Sequence, residues 1–544
     1  MNRETESHFS YLPEVNIRRS SFKRPHTHKT SMSAGMLYPV YIDADIVPGD
    51  TVKMDMGSLV RMQTPLFPVM DQAYMDLAWF FVPHRLVWSH FKEFWGENNT
   101  TYWEQPVEYT IPQITSPANT GWTKGSLADY MGMPIGVPGL SVNHLPFRAY
   151  CQIWNDWWRD ENLKDPAMIT LDETTVTGVN SGSYQQYAEA GGPLLKAAKF
   201  KDFFTSALPS PQKGPSVNLP LGTSAPVIGT DVTNLFPGQT QNTTLKGKNI
   251  GLVLDRAGTD MYMNAVTDDT TPVALAVNEE IGLAVDLSNA IGATINQLRE
   301  SFAIQAFYEA QARGGSRYIE FCKSIFGVTS PDARLQRSEY LGGQRISINM
   351  DQVLQTSSTD ATSPQGNTAA FSCTVSTGNM FTHSFTEHGT LMCLAVIRTD
   401  HTYQQGIEMQ WLRKKKFDYY IPQMANLGEE MIPNACIYAQ GTSTDNQAFG
   451  YQERWAEYKY KPSRISGCLR STYAQATDFM HYGDEYATLP TLSSGWIDET
   501  TANIDRTIAV PSTTEDQFFC DFYFDGTYVR PMPVYSTPST LSHF

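Results

Sequence analysis

The stretch AYMDLAWFFVPHRLVW, Ala73–Trp88, decides the fold class. Its aromatic and branched side chains favour a strand. Pro83 marks where that strand ends, because proline offers no N–H to a ladder. Apolar and polar residues fail to alternate across Leu77–Val82. A strand wetted on one side alternates with period two, so this run predicts burial on both faces.

Further strands are legible on either side. MLYPVYIDADIVPGDTVKMDMGSLVRM, Met36–Met62, holds two β-like runs joined by a Pro-Gly turn at VPGD, Val47–Asp50. Near the other end, GGQRISINM (Gly342–Met350), GTLMCLAVIRTD (Gly389–Asp400) and QFFCDFYFDGTYVRPMPVY (Gln517–Tyr535) read as strands. Strands at both ends of one chain predict a mainly β protein whose sheet closes late, as in a sandwich or jelly roll.

Between them the pattern changes. HLPFRAYCQIWNDWWRDENL, His144–Leu163, sets Phe147, Cys151, Trp154 and Trp158 at helical spacing, a stripe read as core packing. Residues 200–290 are rich in Thr, Gly, Asn, Ala and Pro without helical periodicity. So long a stretch is unusual as a loop within one compact domain, so an inserted subdomain of turns and short strands is expected. Ser288–Gly315 is helical, with Arg313 in its last turn and Gly314-Gly315 as its stop. A short helix follows within Ser316–Gly327.

Composition narrows the function. The chain has 544 residues, 12% of them aromatic, and a formal charge of −16. That balance argues against a general nucleic-acid binder, although a short basic segment still sets its own potential within a Debye length. The seven cysteines are scattered without a C-x-x-C pair, which predicts free thiols in a reducing compartment. No apolar signal region follows Met1, and no run of eighteen apolar residues exists, so neither signal-directed secretion nor a membrane span is expected.

Catalytic constellations are missing from the sequence. It contains no phosphate-binding glycine loop, no H-E-x-x-H and no G-x-S-x-G. His383, Glu387 and His388 could in principle bind a metal, but the spacing of the two histidines fits neither one helix face nor one strand face. Asp43 and Asp45 share a strand face and read as a solvated edge. No catalytic, cofactor or metal residue is therefore assigned.

Three basic stretches remain. NIRRSSFKRPHTHKT, Asn16–Thr30, carries Arg18, Arg19, Lys23, Arg24 and Lys29 and no acid. Lacking apolar periodicity, it reads as an extended arm ordered only by a partner. WLRKKKFDYY, Trp411–Tyr420, interleaves Arg413, Lys414, Lys415 and Lys416 with aromatic rings, the composition that suits single-stranded nucleic acid. AFGYQERWAEYKYKPSRISG, Ala448–Gly467, mixes Glu453 and Glu457 with Arg454, Lys459, Lys461 and Arg464. Ion pairing can neutralise most of that charge. Lys461 and Arg464 are candidates for DNA contact; Trp455 and Tyr458 fit core or interface anchors, and with Tyr460 they are the candidates for an interface between subunits.

LAWFFVPHRLVW (Leu77–Trp88), FKEFWG (Phe91–Gly96), GYQERWAEYKYKPSRISG (Gly450–Gly467) and HTHKTS (His26–Ser31) together resemble the major capsid protein of microviruses, most closely the gokushovirus branch. These are small tailless phages with circular single-stranded DNA. The resemblance implies an eight-stranded antiparallel jelly roll of the viral capsid type, with large loop and helical insertions. It implies a T=1 icosahedral shell of about sixty copies and a place in the virion after assembly in the host cytoplasm. The implied partners are other copies of the chain, packaged single-stranded DNA, a minor internal or pilot protein and a host surface receptor. On this reading residues 1–30 form an arm facing the interior, and 31–199 the first part of the jelly roll with a helical insertion. Residues 200–290 form a surface subdomain at the threefold axis that meets the receptor, and 291–544 the remainder of the jelly roll.

Two other readings compete. A carbohydrate-binding or carbohydrate-active jelly-roll protein would explain the many Trp and Tyr and the Thr/Asn-rich loops. A free single-strand DNA-binding protein would explain the basic stretches but not the acidic balance.

Overall fold

The computed structural model describes residues 18–97, 108–215, 217, 227–229, 251–257, 260–266, 273–276, 283–285, 295–315, 317–332, 334–359 and 364–535. The chain forms two compact units, residues 1–213 with 309–544, and residues 214–308.

The larger unit is built on two four-stranded antiparallel sheets. The strands are β1 (Ser20–Met32), β2 (Tyr38–Ile46), β3 (Thr51–Met62), β4 (Ala73–Pro83), β5 (Glu339–Ser347), β6 (Thr374–Ser384), β7 (Gly389–Thr399) and β8 (Phe518–Arg530). One sheet has the order β1-β8-β3-β6 and the other β5-β4-β7-β2. Chain neighbours β1 and β2, or β3 and β4, thus lie in opposite sheets, the arrangement of a jelly roll. Between the sheets lies one core that includes Met54, Trp79, Phe381, Cys393, Phe522 and Phe524.

The second sheet is covered again on its outer face. Ala78, Phe80 and Val82 of β4, with Met392, Leu394 and Val396 of β7, pack against helix α1 (Leu145–Ile153) and neighbouring loops. This is the double burial expected of Leu77–Val82. Of the stripe read in α1, Phe147, Cys151 and Trp154 are buried as expected, but Trp158 is only partly so. The helix continues as a π turn, Trp154–Trp158, in which the Arg159 N–H donates to the Trp154 carbonyl at 2.9 Å. The wider turn rotates Trp158 off the stripe.

The basic arm differs from expectation. Residues 1–17 lie outside the described residues, but Ser20–Met32 is an ordered strand, paired from Ser20↔Arg530 to Met32↔Phe518 with β8. Its order comes from its own chain rather than from a partner. Its inward face shows no apolar stripe because Arg24, His26 and His28 stand between Phe22 and Met32. His26 stacks on Phe524, and the Arg24 guanidinium lies 2.6 Å from Asp43. Pro25, Lys23 and Lys29 are tolerated because β1 is an edge strand. Asp43 is likewise not a solvated edge residue. It is buried against Arg24 and Arg530, tying the two sheets together, while Asp45 is exposed.

In the smaller unit, Gly251–Ala257, Asp260–Val266 and Val273–Ala276 form a three-stranded antiparallel sheet, and Val227–Gly229 pairs with Leu283–Val285. The rest of the 200–290 insertion beyond residue 217 lies outside the described residues. Helices α2 (Ile295–Gly314) and α3 (Tyr318–Phe326) lie within the two stretches read as helical, residues 288–294 and 316 of which lie outside the described residues. No helix among the described residues is long and apolar enough to cross a membrane.

Candidate assembly and nucleic-acid interface

The loops between β7 and β8 carry two of the three basic stretches. They rest on a small core of their own, in which Phe204, Tyr403, Ile437 and Phe449 are buried. Strands Glu429–Pro433 and Ala448–Glu453 pair antiparallel above it. Gly406 permits a close backbone approach, since a Cβ there would lie 1.9 Å from the Cys436 carbonyl oxygen.

After Ala448–Glu453 the chain turns sharply at Trp455, whose φ is +57°. This conformation is rare for a bulky residue, and it turns the indole inward. The ring packs edge-on to Tyr420, 5.1 Å between centroids, beneath the Arg454 guanidinium at 4.6 Å. Trp455 is only 3% exposed, so it anchors the loop and does not present a surface to another subunit. Tyr458 and Tyr460 are more than half exposed.

Arg413, Tyr458, Tyr460, Lys461 and Arg464 line one cavity of about 300 Å³. Arg413 is largely enclosed, 3.1 Å from Glu457 and 4.4 Å above the Tyr458 ring. Its charge is committed within the chain. Lys461 and Arg464 lie 3.7 Å from Glu408, yet their side chains are 73% and 74% exposed. Lys414, Lys415 and Lys416 are exposed on a tight turn. The Lys414 and Lys415 N–H groups each donate to the Asp418 carboxylate at 2.7 Å, which holds Asp418 below the usual carboxylate range. All three lysines are exposed, the Lys416 ammonium lying 4.8 Å from the Phe417 ring.

The cations of the first stretch lie elsewhere, along the edge of the first sheet. Arg19 donates to the Gly49 carbonyl and, at 2.7 Å, to Thr51 Oγ1. Lys29 pairs with Asp521 at 3.1 Å and Arg24 with Asp43. Arg18 and Lys23 are exposed, with no ion pair among the described residues. The histidines weighed for a metal have separate partners: His383 lies 3.9 Å from Glu339, Glu387 binds Arg85, and His388 stacks on Trp95.

A further concentration of charge has no counterpart in the sequence reading. His401 is buried between Asp484 (3.0 Å) and Glu499 (2.9 Å), and Lys199 and Asn503 also reach Asp484. Burial alone would lower the His401 pKa, but Asp484 and Glu499 outweigh it and raise it to about 10. Tyr486, Gln404 and Ser471 extend this network, which fixes the β7–β8 loops to the sheet. Its members come from separate segments, His401 lying 83 residues from Asp484 and Lys199 lying 285 from it, so no local motif marks it.

Comparison with known proteins agrees with this architecture. Residues 10–540 match a family described as capsid protein (F protein). The chain is 41% identical over 541 residues to capsid protein VP1 of Spiroplasma virus 4, covering 97% of each. It is 40% identical to capsid protein VP1 of Bdellovibrio phage phiMH2K, covering 100% of this chain and 99% of the other. It is 37% identical to capsid protein VP1 of Chlamydia phage 1, covering 98% and 97%.

Proposed function

Because this chain belongs to the capsid protein (F protein) family and is a structural capsid protein of the virion, we propose that about sixty copies close into a small icosahedral shell around circular single-stranded DNA. The observation that carries this reading is the end-to-end match to capsid proteins. Nothing supports the carbohydrate-binding alternative.

The surface suits assembly. Large apolar side chains stand exposed at Trp95, Phe302, Tyr318, Phe326, Trp411 and Tyr460, residue types that bury well between subunits. The seven cysteines are unpaired, as assembly in the reducing host cytoplasm requires. Lys414, Lys415 and Lys416, with Lys461 and Arg464, supply one DNA-facing patch, and Arg18 and Lys23 supply another. A minor internal or pilot protein shares the interior, and the 200–290 insertion meets the host receptor.

Negative-stain microscopy and sedimentation of the purified protein test the shell. Uniform closed particles are expected, and a small soluble oligomer would overturn the reading. The triple variant K414Q/K415Q/K416Q should still close shells but hold less ordered DNA. Unchanged packaging and unchanged interior density would remove those lysines from the DNA contact.

A further inference from the structure

A groove of about 840 Å³ lies beside β4 and β5 in the larger unit, away from the basic stretches described above. Its walls come from six separate places in the chain: strand β4, the π turn and the residues after it, the segment around Phe200, the start of α3, strand β5 and the end of β7.

One wall is aromatic. Phe80, Trp157 and Tyr340 form a triangle with centroids 5.6 to 5.7 Å apart. Trp158 and Phe200 continue it, with the Arg398 guanidinium 5.2 Å and 4.0 Å from their rings. Arg345 also lies over Phe200, at 4.5 Å. A guanidinium stacked by its face keeps its N–H edge free to bind.

The cations outnumber what the carboxylates serve. Asp76 alone answers both Arg345 and Arg398. Arg317 holds Glu161 and Glu320, and Lys201 holds Asp160. Arg159 has no ion pair among the described residues and donates only to the Lys164 carbonyl, at 2.6 Å. Burial, then the neighbouring Arg317 charge, hold the Arg159 pKa below its usual value.

The unmet hydrogen bonds all have one sense. Nε of Arg159, Arg317 and Arg398 and the Trp158 indole N–H are buried without a partner. None of the groove's carboxylate oxygens is left so. The surplus along this wall is therefore of donors, which an acceptor-rich anion complements.

We propose that this groove binds a nucleotide, its phosphate against Arg159, Arg345 and Arg398 and its base against the aromatic wall. Phosphate supplies the acceptors and the negative charge, and a planar base fits the ring faces. The nucleotide is either a unit of the packaged strand or a free one. The inference rests on the packaging reading only for the first of these sources.

Calorimetric titration of the full-length unassembled chain with thymidine monophosphate, a short oligothymidylate and inorganic phosphate tests it. Arg159→Gln with Arg345→Gln should weaken nucleotide binding about tenfold or more, with circular dichroism unchanged because Asp76 keeps Arg398. For the oligomer, each lost cation should reduce the salt slope by about 0.7. Arg159→Lys with Arg345→Lys should restore much of the affinity. Tighter binding of the oligomer than of the monophosphate assigns the strand, and equal affinity assigns a free nucleotide. Wild-type affinity in the glutamine variant overturns the proposal. So does inorganic phosphate competing as well as the nucleotide, since the rings would then contribute nothing. Loss of the groove leaves the shell reading intact if particles still form. Failure to form particles strikes the shell reading, while the titration still reports on the groove.

Discussion

Strand β8 alternates buried and exposed residues along most of its length, whereas β4 is buried at ten of its eleven positions. Both strands contribute to the core between the sheets, Phe522 and Phe524 from one and Trp79 and Phe81 from the other. They differ in what lies behind them. Behind β4 stand α1 and its loops, which take up Ala78, Phe80 and Val82. Behind β8, Phe519 and Tyr523 are exposed. The same backbone geometry therefore yields two sequence patterns, and the pattern reports the number of covered faces rather than the presence of a strand.

Adjacent residues on β4 break or support this comparison most strongly. Trp79 packs on Tyr41, Phe381 and Phe524 between the sheets, and Phe80 packs on Trp157 and Tyr340 behind them. Trp79→Ala and Phe80→Ala should each destabilise the chain by about 3–5 kcal/mol in urea unfolding. A large loss from only one of the two would mean that one face of β4 is not truly core.

The covered side also holds two buried histidines that lack a carboxylate partner, which makes it the acid-sensitive side. Burial, then the charge of His388, lowers the His84 pKa to about 4. Burial, then Arg148, lowers that of His144 to about 4. At His144 the Nδ1 accepts from Arg148 Nε at 3.1 Å, a bond that protonation would remove. Both folded values lie below the unfolded value of 6.5. Their contribution is therefore complete above pH 6.5 and is lost as pH falls toward 4, by on the order of 3 kcal/mol each at most. His401 has the opposite sign: its contribution is complete below pH 6.5 and is lost as pH rises through about 10. Thermal unfolding across pH 4 to 10 should fall at both ends. His84→Gln with His144→Gln should flatten the acid limb alone, and an unchanged acid limb would show that these histidines do not report on the covered face.

Much of this frame is legible in the sequence because burial leaves a pattern. The unbroken apolar run of Leu77–Val82 and the apolar run in Gly389–Thr399 announce their strands. What escapes has identifiable causes. β1 escapes because Arg24, held by Asp43, and His26, stacked on Phe524, share a face with Phe22 and Met32 and interrupt its apolar pattern. Trp158 leaves its stripe because one π turn shifts the helical phase. Trp455 reads equally as a core or an interface anchor until its positive φ and burial show the ring turned inward. Of the basic stretches, spacing could not separate Arg413, held by Glu457, from Lys414–Lys416, which are exposed. The groove is least legible of all, since its arginines come one at a time from distant segments and form no run.

The smallest expected effect sharpens the comparison from the open side. Phe522 and Tyr523 are consecutive on β8, the first fully buried and the second 47% exposed. Across the ladder Tyr523 faces Thr27 on β1 and Gly57 on β3, small neighbours that leave its ring uncovered. Phe522→Ala removes a core ring and should cost about 3–5 kcal/mol, whereas Tyr523→Ser should stay within about 0.5 kcal/mol. The measurement is the urea midpoint of the unassembled chain, where no other copy or nucleic acid can cover the face. Equal losses at the two positions would show that β8 is covered on both sides within its own chain, and the distinction between the sheets would fall. A loss confined to Phe522 leaves Tyr523 without a role in folding, so that any effect of Tyr523→Ser on particles must come from a contact made only in the assembled shell.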